Sequence, residues 1–255
     1  MKRLFFIGIL FFILTSCATK QARIDDIYEQ KIPEPILVRI ELAERYIMDL
    51  RPREALRQLL TVQNSAYKYA RFHFDLGMAY LALDERQKAI DSFSKAVKLS
   101  PAYGEAWNNL GLVYFASGNN QKAEKCFKKA LSILTYKTPE LPALNLARLY
   151  LKKGDRVQAK RYAKISVQKN WRYTSAYIFL AKLLEEENDL EGAKKILKEG
   201  VEANPDNSKL ILEYAKTLLK LGQNQDARKW LEELITHHAK SDEAKMAQDY
   251  LEFLP

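Results

Sequence analysis

The stretch GEAWNNLGLVYFASGNNQKAEKCFKKA, residues 104–130, decides the fold. Its residues Leu110, Gly111 and Tyr114 stand at positions i, i+1 and i+4, which fall on one face of an α-helix. A second apolar pattern begins after Gly118, a residue type that often ends helices because it tolerates a left-handed backbone. The stretch therefore predicts two helices joined by a tight turn.

The same pattern recurs along the chain at a step of 34 residues, with two extra residues between the third and fourth copies. One slot in the second helix holds alanine in all six copies: Ala55, Ala89, Ala123, Ala159, Ala193 and Ala227. A small side chain at this slot allows the paired helix to approach closely, while large apolar neighbours fill the space beside it. The regular step predicts an array of identical supersecondary units.

These features are those of the tetratricopeptide repeat, and the resemblance covers residues 36–241. It implies an all-α fold, a right-handed superhelical solenoid of six helix-turn-helix repeats. The expected repeats are 36–69, 70–103, 104–139, 140–173, 174–207 and 208–241. We expect residues 242–255 to form a capping helix that covers the exposed end of the stack.

The residue between the two helices of a repeat is of a type that tolerates a left-handed backbone in five copies: Asp84, Gly118, Gly154, Asn188 and Gly222. The first repeat departs from this rule, since Leu50 takes the slot and Pro52 follows it. A turn of different shape is therefore expected there.

The composition fits an ordered chain, and its charge pattern does not indicate a nucleic-acid interface. Hydrophobic residues make up 47% and charged residues 29% of its 255 residues, a balance that disordered chains lack. The formal net charge is +9, but the lysines alternate with acidic residues and few aromatic residues lie among them. This pattern favours a solvated surface over a nucleic-acid interface, with attraction to anionic lipid head groups as the alternative.

Residues 1–16 are predicted to be a lipoprotein signal peptide. Lys2 and Arg3 supply its positive start, and an uncharged run of 11 residues follows over 4–14. As a helix, this run would span about 17 Å, well short of the roughly 30 Å hydrocarbon core of a bilayer. It is therefore too short for a transmembrane helix.

The next four residues, LTSC at 14–17, resemble the bacterial lipobox, so Cys17 is expected to be lipidated and to anchor the chain to a membrane. The residue after Cys17 is Ala18 and not aspartate. By resemblance to sorting rules, this implies the bacterial outer membrane, with the protein facing the periplasm. Residues 17–35 are expected to form a flexible tether.

No motif of a catalytic, nucleotide or metal site occurs in the sequence. His73 takes an aromatic slot of the second repeat and is expected to be packed, whereas His237 and His238 have no ligand spacing. Cys126 precedes a core phenylalanine and is expected to be a structural thiol. We therefore predict no enzyme activity, no cofactor, no metal and no small-molecule substrate; an enzyme with an unrecognised site is the alternative.

The first helices of the first four repeats carry more apolar residues than repeat packing requires. In tetratricopeptide repeats these helices line the concave side, so we expect a groove that binds a protein partner. The residues of this predicted groove are Leu37, Ile40, Ile47, Phe74, Met78, Leu81, Asn108, Leu112, Phe115, Leu144, Arg148 and Leu151. The alternative is that superhelical curvature or the tether covers them.

The whole plan resembles the type IV pilus biogenesis and stability lipoproteins, the PilF/PilW/Tgl group. The resemblance is carried by the lipobox, the six repeats, and the strings WNNLG at 107–111, YKTP at 136–139 and NLA at 145–147. It implies a pilotin that binds outer-membrane secretin subunits and promotes their localisation and multimer assembly. Two alternatives are a periplasmic lipoprotein adaptor for cell-wall enzymes or proteases, and a β-barrel assembly accessory lipoprotein, whose repeats are longer and less regular.

Overall fold

A computed structural model describes residues 31–254. The predicted signal peptide, Cys17 and most of the predicted tether lie outside these residues. The described part contains fourteen helices: α1 (Glu34–Met48), α2 (Pro52–Thr61), α3 (Gln63–Ala66), α4 (Ala70–Ala82), α5 (Arg86–Leu99), α6 (Gly104–Ala116), α7 (Asn120–Ser132), α8 (Glu140–Lys152), α9 (Arg156–Lys169), α10 (Thr174–Glu186), α11 (Leu190–Ala203), α12 (Ser208–Lys220), α13 (Asn224–His237) and α14 (Asp242–Glu252). The expected all-α fold is confirmed, and within residues 31–254 no helix is both long and apolar enough to cross a bilayer.

The chain divides into two compact units, unit 1 ending at Gly118 and unit 2 beginning at Asn119. In unit 1, α1 and α2 pack on each other and both contact α4, which packs on α5, and α5 contacts α6. In unit 2 each helix from α7 to α14 packs on the next one along the chain. Each unit is thus a side-by-side stack of antiparallel helices.

Side-chain caps define where several helices of unit 2 begin. The Asn119 side chain accepts a hydrogen bond from the Lys122 backbone N–H, and Asp155 does the same for Gln158. The other capped helix starts are at Asp189, Asn207 and Ser241. Each such cap satisfies a backbone donor that the helix leaves unpaired, and is worth about 1 kcal/mol.

The small residues act as the sequence predicts. All six alanines of the shared slot are fully buried. In unit 1 a methyl group added to Gly77 would lie 2.5 Å from the Phe93 ring, so only glycine allows α4 and α5 to approach this closely. Large rings on one helix thus fill the space that small residues on its partner leave.

The left-handed turn residues are also confirmed, with φ between 57° and 79° at the five predicted positions. The expectation of a different turn in the first repeat is wrong, because Leu50 has φ of 57° as well. Its N–H donates to the Ile47 carbonyl at 3.1 Å, and the Arg51 N–H donates to the Tyr46 carbonyl at 2.8 Å. This is the pair of bonds of a Schellman turn, which forms here although leucine is strained in that conformation.

The last helix packs on the end of unit 2. α14 contacts α13 and α12, with Ala244 and Ala247 buried in the contact and Met246 facing outward. The Arg228 guanidinium donates to the Leu254 carbonyl at 3.2 Å, which ties the chain end to α13. The helix therefore covers apolar surface that the last repeat would otherwise expose.

Replacing Leu50 by glycine is expected to stabilise the protein. Leu50 is 87% exposed, so the change removes the left-handed strain without removing core packing, and the free energy of unfolding should rise by about 0.5–1 kcal/mol. The control is Leu134→Gly, since Leu134 is 99% exposed and is not among the residues with positive φ. Urea unfolding should show opposite shifts for the two variants; a loss of stability in both would contradict the strain argument.

Candidate partner-binding face

Three residues of the predicted groove are buried, which corrects that part of the prediction. Ile40 and Leu144 are fully buried and Asn108 is 4% exposed. These residues share one slot of the repeat with Phe74, which is half-exposed. Ile40 packs in a cluster with Phe72 of α4, and Leu144 packs with Leu180 of α10. At Ile40 and Leu144 this slot is needed for packing between repeats and offers no surface to a partner.

The other apolar residues of the predicted groove are half-exposed. In unit 1 these are Leu37, Ile47, Phe74, Met78, Leu81, Leu112 and Phe115. Phe74, Met78 and Leu81 lie on one stripe of α4, since they are spaced i, i+4 and i+7. We refer to these seven residues as the unit 1 face.

Phe74 also belongs to the packing of unit 1. Its ring centroid lies 5.0 Å from that of Tyr103 and 5.7 Å from that of Phe93. Truncating Phe74 would therefore loosen α4 against its neighbours as well as change the surface. Met78 and Leu112 are the better probes of this face.

A polar cluster that the sequence did not reveal lies beside this face in unit 1. The Arg71 guanidinium donates two hydrogen bonds to the Glu44 carboxylate, at 2.7 and 2.8 Å. These bonds raise the pKa of Arg71. Because Glu44 lies on α1 and Arg71 on α4, the ion pair joins the two helices. Both side chains are about one-third exposed, and the pair is part of the accessible surface.

Asp75 lies one turn further along α4, is 2% exposed, and has one carboxylate oxygen without a hydrogen-bond partner. Burial raises the pKa of Asp75 well above its ordinary value, and the nearby Glu44 raises it further, whereas Arg71 opposes the shift. Burial likewise raises the pKa of Tyr103. The inner side of unit 1 thus holds a carboxyl group that favours its neutral form.

Unit 2 presents charges at one slot that is apolar in the second and third repeats and holds Glu44 in the first. Arg148, Lys182 and Lys216 take the slot of Met78 and Leu112. Arg148 and Lys182 are exposed, and Lys216 is half-buried. Leu151 is the half-exposed apolar residue that unit 2 adds from the predicted set.

Two lysines of α12 in unit 2 are paired with acidic side chains. The Lys220 ammonium group and the Thr217 hydroxyl donate to the two carboxylate oxygens of Glu185, at 2.8 and 2.7 Å. Burial raises the pKa of Glu185, but these two hydrogen bonds outweigh that effect and hold the pKa below its usual range. Lys216 is paired with Glu213 at 2.9 Å.

His73 and Cys126 are packed inside the part of the chain that the structure describes. The His73 ring is buried, its Nε2–H donates to the Tyr67 carbonyl at 2.7 Å, and burial lowers its pKa. Cys126 is buried, which raises the pKa of its thiol to about 11 and disfavours the reactive thiolate. His237 is exposed beside Glu233. Residues 31–254 contain no group of three or more His, Cys, Asp or Glu side chains that could hold a metal.

Two family models match the chain. Residues 18–211 match the model described as the C-terminal domain of cilia and flagella-associated protein 70, and residues 184–249 match a tetratricopeptide-repeat model. A curated relative, the TPR repeat-containing protein YpiA of Bacillus subtilis (strain 168), is 40% identical over 63 residues. That match covers 25% of this chain and 15% of the length of YpiA.

Two solved structures are similar over most of the chain. The type IV pilus biogenesis factor PilW is 23% identical with a TM-score of 0.66, covering 85% of this chain and 100% of that chain. Pseudomonas aeruginosa PilF is 19% identical with a TM-score of 0.68, covering 85% of this chain and 98% of that chain. These similarities confirm the tetratricopeptide-repeat fold.

Replacing Asp75 by asparagine is expected to change how stability depends on pH. The folded chain holds the Asp75 proton above pH 3.8, where the unfolded chain releases it, so the folded state of the wild type loses stability as pH rises through the raised pKa. The wild type should lose at least about 1 kcal/mol relative to Asp75→Asn across that rise. Urea unfolding of both proteins between about pH 4 and 9 measures this difference.

The exposed Asp206 provides the control, since Asp206→Asn also removes one carboxyl group. A constant difference in unfolding free energy between wild type and Asp75→Asn at every pH would contradict the assignment of a neutral buried carboxyl.

Proposed function

We propose that this chain is a non-catalytic scaffold that binds another protein. The chain belongs to the tetratricopeptide-repeat family described as the C-terminal domain of cilia and flagella-associated protein 70. The observation that carries the proposal is the unit 1 face. Its seven apolar side chains are half-exposed, although Ile47 and Phe74 also pack against the core of unit 1. Apolar surface of this kind on a helical repeat commonly marks a partner site.

The process we propose is type IV pilus biogenesis. This proposal is supported by PilW, a type IV pilus biogenesis factor, and PilF, which match 85% of this chain over 100% and 98% of their own length. The partner we propose is an outer-membrane secretin, because the resemblance to the pilus biogenesis and stability lipoproteins implies one. Lipidation at Cys17 and location at the outer membrane, facing the periplasm, are part of the same proposal.

The proposed mechanism is capture of an apolar segment of the partner. Burying one Met or Leu side chain contributes about 1.5–3 kcal/mol, and ordering a bound segment and its side chains opposes this gain. Several anchors are therefore needed for useful affinity, which a row of side chains on adjacent first helices supplies. The lipid anchor would keep the captured subunit at the membrane where a secretin ring assembles.

Deletion of the gene is expected to abolish the secretin multimer. Membranes from the deletion strain, a wild-type complement and a Cys17→Ala complement are compared on an unheated detergent gel. Restoration by wild type with partial or no restoration by Cys17→Ala would support delivery by a lipid anchor. An unchanged multimer in the deletion strain would reject the secretin role, and the adaptor for cell-wall enzymes or proteases would become the leading function.

Introducing charge into the unit 1 face is expected to weaken partner capture without unfolding the chain. Met78→Lys with Leu112→Lys should reduce secretin binding at least about tenfold, since each change removes an apolar anchor worth more than 1.4 kcal/mol. Val157 is 74% exposed on α9, so Val157→Lys is the matched surface control. Pull-down titration with unchanged circular dichroism measures the effect.

The pair Met78→Leu with Leu112→Met keeps the face apolar and should bind like the wild type. Equal binding by the lysine double variant and the wild type would remove the unit 1 face from the mechanism.

A further inference from the structure

The N-terminal end of unit 1 presents an unusual surface. The buried residues of α1 and α2 belong to one cluster with Phe72, Leu76 and Ala79 of α4. Both helices therefore turn one side toward α4, and their opposite sides together form the end of the stack. We call this surface the end face.

The end face is defined by helical periodicity and measured exposure. On α1, Val38, Glu41, Arg45 and Met48 fall within an arc of about 80°, opposite the buried Ala43. On α2, Arg53, Arg57 and Leu60 fall within about 60°, opposite the buried Ala55. Leu50 lies at the turn that joins the two helices.

Large apolar side chains are exposed on this end face. Val38 is 55% exposed, Met48 73%, Leu50 87% and Leu60 46%. None of these side chains is needed for the core, because the cluster beneath them is already closed by fully buried residues such as Ile40 and Leu59. Exposed apolar surface of this extent points to a binding surface.

The positive charge of the same region is carried by arginine alone. Residues 36–60 contain five arginines and no lysine, whereas the whole chain has 14 arginines and 27 lysines. Arg51 pairs with Glu54, and Arg39 donates to Gln58, but Arg45, Arg53 and Arg57 have no ion pair with a described residue. Guanidinium groups bind phosphate oxygens in a bidentate manner and are more weakly hydrated than ammonium groups.

We propose that the end face docks on the surface of a bilayer that contains anionic phospholipids. Exposed apolar side chains enter the head-group region, and the arginines beside them meet lipid phosphates, as on interfacial helices. Acidic residues are fewer here, since five arginines face three acidic residues (Glu41, Asp49 and Glu54) in residues 36–60 when the Glu44 paired with Arg71 is set aside. This charge complements an anionic membrane.

The position of the end face agrees with this occupant. The inference rests on the proposed lipid anchor at Cys17, which precedes the start of α1 at Glu34 by 17 residues. A chain of that length reaches at most about 60 Å, so the anchor would hold unit 1 near the bilayer. A weak surface then suffices for docking, because the anchor raises its effective concentration at the membrane.

The test uses the mature chain, residues 17–255, with Cys17→Ser to remove lipidation, in flotation with vesicles. Vesicles of phosphatidylethanolamine with phosphatidylglycerol are compared with vesicles of phosphatidylcholine. We expect binding to the anionic vesicles that falls with added salt. Either Met48→Ser with Leu50→Asn, or Arg53→Gln with Arg57→Gln, should reduce that binding at least about tenfold, because two anchoring groups are lost.

Unit 2 offers a matched control for each pair. Val157→Ser with Leu134→Asn removes two apolar residues that are 74% and 99% exposed. Lys125→Gln with Lys129→Gln removes two exposed charges at the same i, i+4 spacing as Arg53 and Arg57. Both controls should bind the anionic vesicles like the Cys17→Ser parent.

Three results would overturn the proposal. The first is that the parent does not bind the anionic vesicles, and the second is that the end-face pairs and their controls bind equally. The third is that the end-face pairs convert a dimer to a monomer in sedimentation without changing vesicle binding, which would assign the face to a second copy of the chain. The assay contains no secretin, so its outcome is separate from the multimer test. An unchanged multimer with end-face-dependent vesicle binding would reject the pilus role and leave the membrane surface standing.

Discussion

Close approach of two helices at a side chain no larger than a methyl group is the constraint on which the rest of the structure depends. The six alanines of the shared slot are fully buried, and Gly77 leaves no room for a methyl group against Phe93. With the helices this close, large side chains from the partner helix close the core of each pair. Few positions on the first helices are then needed within the pair, so their residue types are open to other demands.

Those demands differ between the two units. In the second and third repeats this slot holds Met78 and Leu112, whereas in unit 2 the corresponding residues are Arg148, Lys182 and Lys216. The first repeat has Glu44 there, in an ion pair with Arg71. Since the helical framework is the same in both, the difference reflects surface chemistry and not packing. A segment that binds the unit 1 face must be apolar, while unit 2 favours acidic groups beside its exposed basic side chains.

The sequence predicted contacts within a repeat well and contacts between repeats poorly. Helical periodicity and residue size were enough to place the alanine slot, the left-handed turns and the packed His73. The burial of Ile40 and Leu144 was missed, because it depends on how one first helix lies against the next, which periodicity does not specify. The turn at Leu50 was also predicted wrongly, because the prediction used residue type alone. Its backbone hydrogen bonds outweigh the strain of one leucine, so Leu50 adopts the left-handed conformation of the other turns.

The burial of Asp75 could not be predicted from the sequence. A carboxyl group four residues after an arginine on a helix is expected to form a surface ion pair with it. Arg71 instead bonds to Glu44 of α1, and Asp75 is buried beside this pair. Only the approach of α1 to α4 brings the two carboxyl groups together. The same approach satisfies the charge of Arg71, whereas Arg45, Arg53 and Arg57 on the opposite side of α1 and α2 pair with no described residue. The first repeat thus pairs Glu44 with Arg71 of α4 and presents Arg45, Arg53 and Arg57 on the end face, where anionic phosphates can meet them.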